Sequence, residues 1–206
     1  MNVYIETNFV LELAFVQEQH DACAKILALC ETGIAHLVLP AFCIAESYER
    51  LIRRANNRRQ IANDLEPELR EISRSEPYVS EVDALQSITS LLVRCSQDED
   101  QRLNNVLEQL LAVADVIPFE TGILLNAARY RVEFKLGPQD SFVYSSVMHH
   151  LGSTARGESC FINKDRRDFA DPDIEEALMN QGCKILFRFD DGYGYIQHRL
   201  GATSGD

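Results

Sequence analysis

No run of 18 uncharged apolar residues occurs in this chain, so no segment is suited to span a bilayer as a helix, and no membrane is expected among its partners. The opening stretch MNVYIETNFV has no basic residue and places Glu6 early, which argues against a cleaved export signal. The six cysteines (23, 30, 43, 95, 160 and 183) contain no CxxC pair. Cys23, Cys30 and Cys43 fall in apolar helical patterns, and Cys160 opens an apolar strand-like run. All six therefore read as buried thiols in a reducing, cytoplasmic compartment rather than as disulfides. The motifs GxxxxGKS/T, GxSxG and GxGxxG are absent, which removes support for a P-loop, a serine-hydrolase elbow and a dinucleotide site. The five histidines show no ligand spacing; His149 and His150 are adjacent and point to different helix faces. Internal repeats and low-complexity segments are also lacking.

The chain has 206 residues, 46% of them apolar, which fits one α/β domain over 1–206 with a sizeable core. Net charge is −12, which opposes broad nucleic-acid binding. The distribution is uneven, however. Between Arg50 and Ala62 there are five arginines and no acid, and Lys164, Arg166 and Arg167 form a second basic cluster. Local basic surface thus survives on an acidic protein.

Val3–Ile5 reads as a short buried strand, with Thr7 or Asn8 capping a helix through Leu13 and Phe15. A helix over Asp21–Cys30, closed by Gly33, precedes a strand over Ile34–Leu39. Pro40 opens the next helix. From about 55 to 115 the pattern is helical, with Pro67 and Pro77 as punctuation, and this stretch reads as an insertion or arm. Val116 and Ile117 suggest a third strand. Helices follow over Phe119–Phe134 and Gln139–Leu151, then a strand over Cys160–Ile162, a helix over Ile174–Met179, a strand over Lys184–Phe189, and a terminal helix from Tyr193. The expected fold is α/β: a mostly parallel sheet of about five short strands with helices on both faces. Ligands of such sheets bind beyond the carboxyl ends of the strands. Glu6 and Asp165 each lie just past a strand and should reach the same rim.

Four segments set acids beside apolar structure: Ile5-Glu6-Thr7-Asn8, Ala45-Glu46-Ser47, Gln139-Asp140-Ser141-Phe142 and Asn163-Lys164-Asp165-Arg166-Arg167-Asp168-Phe169. Each alone has an ordinary reading, such as a helix-start acid stabilised by the dipole or a surface ion pair. Together, in this order and context, they resemble the PIN-domain family over roughly 1–55 and 116–190. The family opens with a strand and an acid-x-Asn signature, here Glu6-Thr7-Asn8, carries a Glu in the helix after the second strand, here Glu46, begins a later helix with Asp, here Asp140, and closes with a strand and a turn of the kind seen at Asn163 to Phe169.

The resemblance implies a metal-dependent endoribonuclease that hydrolyses RNA with Mg²⁺ or Mn²⁺ and leaves a 5′-phosphate and a 3′-hydroxyl. Hard cations take oxygen ligands, and a phosphodiester needs its charge offset before water can attack. Glu6, Asp140 and Asp165 are expected as direct ligands, with Glu46 completing the catalytic cluster and Asp168 supporting it or a second ion. Asn8 is expected to orient Glu6 or a phosphate-facing turn. Ser141, Lys164, Arg166, Arg167, Arg53 and Arg54 are the candidates for substrate contact. Similarity to VapC-type toxins further implies an antitoxin-like inhibitory partner and a homodimer. The family usually has Asp where Glu6 stands, so the alternative is a catalytically weak or inactive nucleic-acid-binding module. A phosphatase on a similar sheet would need a DxD that IETN lacks.

Overall fold

The computed structural model describes residues 1–155 and 157–203. Five strands form one parallel sheet: β1 (Asn2–Ile5), β2 (His36–Pro40), β3 (Asp115–Ile117), β4 (Ser159–Ile162) and β5 (Cys183–Leu186), in the order β3-β2-β1-β4-β5. Every neighbouring pair is parallel, with Val3 opposite Leu37 on one side and Cys160 on the other. Strands covered on both faces cannot alternate in polarity. Accordingly Val3, Tyr4 and Ile5, Leu37 to Leu39, and Cys160 to Ile162 are all buried.

Helices α1 (Thr7–Phe15) and α2 (His20–Glu31) link β1 to β2; α3 (Ala41–Ile72) and α4 (Val79–Val113) link β2 to β3. The chain then returns through α5 (Thr121–Glu133) and α6 (Pro138–Ser153) to β4, through α7 (Arg166–Phe169) and α8 (Pro172–Asn180) to β5, and ends in α9 (Phe189–Thr203). Right-handed crossovers put α1–α4 on one face of the sheet and α5–α8 on the other, because the direction of strand addition reverses after β3. Packing agrees with this: α4 lies on α1, α9 on α2, and α5 on α6. Gly33, at φ +73°, takes the left-handed turn between α2 and β2, as its position after the α2 helix demands.

Three local expectations are corrected. Glu6, rather than Thr7 or Asn8, caps α1, because its longer side chain curls back to accept the Asn8 amide at 2.7 Å. Pro67 does not end α3, which runs on to Ile72. Leu69 is buried beyond it, so packing of α3 on α4 outweighs the lost hydrogen bond. The helical stretch is also not wholly an appendage. Leu103, Leu107 and Leu110 of α4 lie at the spacing of one helix face and join the core. Only the distal α3–α4 hairpin, closed by a 3-10 turn at Glu76–Tyr78, projects as an arm. Arg102 donates to the Ala14 carbonyl at 2.9 Å, and Arg54 and Arg58 of α3 both donate to Glu99 of α4, so the base of the arm is bolted to the domain. Among the thiols, Cys95 is only half-buried; all six are free.

Candidate active site

The strand order reverses between β1 and β4, and a cleft opens there at the carboxyl ends of both. Ile5 and Ile162 are register partners, so Glu6 and Asn163 leave the sheet side by side. The cleft, about 30 Å³, is lined by Glu6, Thr7, Asn8, Glu46, Arg50, Asp140, Val143, Asn163 and Asp165. Acids from four separate segments thus meet at one rim.

Asp140, Asp165 and Asp168 come closest to one another. Each offers a carboxylate oxygen, and the three oxygens lie within 4.8 Å of one another. Asp140 projects from the first turn of α6. Burial pushes its carboxyl up to about 6, and the neighbouring Asp168, Asp165 and Glu46 charges push the same way. Gly137 precedes this turn, and a Cβ there would sit 2.7 Å from an Asp140 oxygen, so the missing side chain gives the carboxylate its place. Asp165 caps α7, one oxygen accepting the amides of Arg167 (3.1 Å) and Asp168 (3.4 Å). Asn163 steadies it by accepting the Asp165 amide at 2.7 Å.

Glu6 and Glu46 stand behind this trio with their oxygens already engaged. Glu6 is buried and accepts the backbone N–H groups of Asn8 (2.7 Å) and Lys164 (3.4 Å). Burial nevertheless dominates and raises its carboxyl to about 7. Glu46, buried in α3, accepts the Thr7 hydroxyl at 2.5 Å on one oxygen and Arg50 Nη2 at 3.0 Å on the other. Asp140, Asp165 and Asp168 form the tightest group, and Glu6, expected as a direct ligand with Asp140 and Asp165, lines the same cleft with its oxygens accepting backbone N–H groups. The extra methylene of Glu6 carries its carboxylate back onto the helix start.

Several expected substrate contacts are placed elsewhere. The ammonium of Lys164 pairs with Glu12, an acid 1% exposed in α1, which also accepts the Gln19 amide at 2.8 Å. The Ser141 hydroxyl is buried and donates to the Pro138 carbonyl at 2.7 Å, closing its own helix turn. Arg54 is spent on Glu99 and on the Phe15 ring, 4.3 Å from its centroid. Arg166, Arg167 and Arg53 are all exposed, Arg166 lying over the Phe187 ring. Thr7, Arg50, Glu12, Gly137 and Asn163 were not singled out as site residues from sequence. Of these, Thr7 and Asn163 sit inside the two strand-end motifs, Arg50 opens the basic stretch, and Glu12 is a lone acid inside the apolar helical run FVLELAF.

Three aspartates with mutually repelling charges suit a hard divalent cation, which takes carboxylate oxygens and offsets their repulsion. The parallel α/β sheet thus carries an acidic cluster at its switch point. A PIN-domain family model matches residues 3–169, and the chain belongs to the PIN-domain family. PIN domains are generally nucleases and typically use divalent metals. Among solved structures, a VapBC2 complex of Rickettsia felis bound to a DNA fragment from its promoter contains a similar chain, at 10% identity and a TM-score of 0.46, over 90% of this chain and 98% of that one. No curated protein matches. Among the described residues, no helix is long and apolar enough to cross a membrane.

Proposed function

We propose that this chain is a divalent-metal-dependent endoribonuclease. The observation that carries the reading is the convergence of Asp140, Asp165 and Asp168 to within 4.8 Å, with Asp140 and Asp165 in a cleft also lined by Glu6 and Glu46. These three aspartates would hold Mg²⁺ or Mn²⁺. Such a cation supplies charge neutralisation and a water of lowered pKa.

The protein's own contribution is placement. Asn163 and the α7 amides fix Asp165, and Gly137 leaves room for Asp140. Thr7 and Arg50 together fix the orientation of the Glu46 carboxyl group by donating to its two oxygens. Glu6 and Asp140 keep protons to about pH 7 and about pH 6 in the cation-free protein, so cation binding is coupled to proton release at these carboxyls.

Incubating the purified chain with RNA and Mg²⁺ or Mn²⁺ should give cleavage with 5′-phosphate ends, abolished by chelation and reduced at least 100-fold by Asp140→Asn. Cleavage that survives both treatments would overturn the assignment. RNA binding without turnover would favour the inactive-module alternative. The VapC-type likeness extends the proposal to a cytoplasmic toxin held by a protein partner. Expression of the chain alone should then arrest growth, and Asp140→Asn should relieve the arrest.

A further inference from the structure

We propose that the solvent face of α3 leading away from the cleft, formed by Arg50, Arg53, Asn57 and Gln60, is the track along which a single RNA strand lies beside its cut site. This rests on the ribonuclease reading and adds to it the path and form of the substrate. Counted from Glu46, these residues fall at +4, +7, +11 and +14, the spacing of one helix face. Arg50 itself lines the carboxylate cleft. The step from Glu46 to Gln60 spans about 21 Å at the helical rise. That is on the scale of the shortest strand-binding sites, about 4 nucleotides.

The arginines of α3 are divided by face. Arg54 and Arg58 turn to α4 and bond Glu99, which removes them from any track. Arg59 lies on the far side and donates to Asn56. Arg53 stays 59% exposed and, among the described residues, meets only Glu49, at 4.0 Å, a surface pair that a phosphate can replace at little cost. Arg50 presents Nε and Nη2 to Glu46 and has no protein partner on Nη1 among the described residues. Its guanidinium can therefore keep Glu46 and still donate to a phosphate oxygen. No acid occurs on α3 between Arg50 and Ala62; Glu49, beside Arg53, and Asp64, which accepts from Gln60, flank this stretch. Asn57 is an exposed amide, able to donate and accept at sugars and unstacked base edges, and exposed Gln60 donates to Asp64 at 2.8 Å while its carbonyl can accept.

The test measures binding of a labelled 12-nucleotide single-stranded RNA in Mg²⁺, in the Asp140→Asn background, over a salt series. Arg53→Gln should weaken binding about 3- to 10-fold and reduce the slope of log K against log salt by about 0.7, the loss of one phosphate contact on a single strand. Arg53→Lys should keep the slope. Arg59→Gln, on the far side, should change neither, and a duplex of the same length should bind more weakly. Matching melting curves for the variants would show that each folds. Unchanged affinity and slope in Arg53→Gln, an equal loss in Arg59→Gln, or tighter binding of the duplex would overturn the track. Cleavage by the parent chain with binding insensitive to Arg53→Gln leaves the nuclease and removes the track. Binding sensitive to Arg53→Gln with no cleavage by the parent does the reverse.

Discussion

Glu6 and Asp140 are carboxyl groups held protonated above their ordinary range, chiefly by burial and secondarily by neighbouring acids. The folded, cation-free protein therefore binds more protons than the unfolded chain between about pH 4 and pH 7, and stability contributed by these groups falls as pH rises through that window. Urea denaturation in chelator should show lower stability at pH 7.5 than at pH 5.5 from this source, and Asp140→Asn should flatten the difference. A steeper rise of stability with pH in that variant's parent would contradict the assignment. Gly137 offers a second residue-scale check. An added methyl would press on the Asp140 carboxylate, 2.7 Å away, without requiring a positive φ. Gly137→Ala should weaken Mn²⁺ binding several-fold in calorimetry while changing stability by about 1 kcal/mol or less.

At the scale of elements, the arm is held by charge as well as by apolar packing. Burial works to raise the Glu99 carboxyl, but hydrogen bonds and charges from Arg58 and Arg54 outweigh it and keep the group below the ordinary carboxylate range. The sign is opposite to that of Glu6: this contribution is present above the ordinary carboxylate pKa and is lost as pH falls through the depressed value. Glu99→Ala leaves two partly exposed arginines without their shared partner and should cost about 2 kcal/mol in urea unfolding. Hydrogen exchange should quicken first in the distal halves of α3 and α4, because the domain covers their bases and not their tips. Uniform quickening across the sheet would show that the clamp is not local.

The whole molecule folds against the repulsion of its own cleft. A cation bound only by the native arrangement stabilises it by mass action, about 2.7 kcal/mol at a concentration 100 times its dissociation constant. Mg²⁺ or Mn²⁺ at millimolar levels should therefore raise the melting temperature of the parent and not of an Asp140→Asn/Asp165→Asn double variant. An equal rise in both would place the binding elsewhere.

The alternation of apolar strands with helical patterns, and the acids at the ends of two strands, were legible in the residues themselves, since parallel strands are apolar on both faces and β-to-helix turns carry polar groups. The position of Glu6, Glu46, Asp140 and Asp165 around one cleft follows from that order. Sequence could not say which acids stay open. Glu6 turns back to cap α1 and Arg50 holds Glu46 one turn away, while Thr7 reaches Glu46 across 39 positions and Lys164 is drawn into a half-buried pair with Glu12 across 152. Nor could it separate arginines that bolt the arm from those that face solvent, because that division depends on where α4 returns along α3. The chain's chemistry was thus written locally, as residue type beside a strand end, while pairings such as Thr7 with Glu46, Lys164 with Glu12, and Arg54 and Arg58 with Glu99 were decided only when distant segments packed.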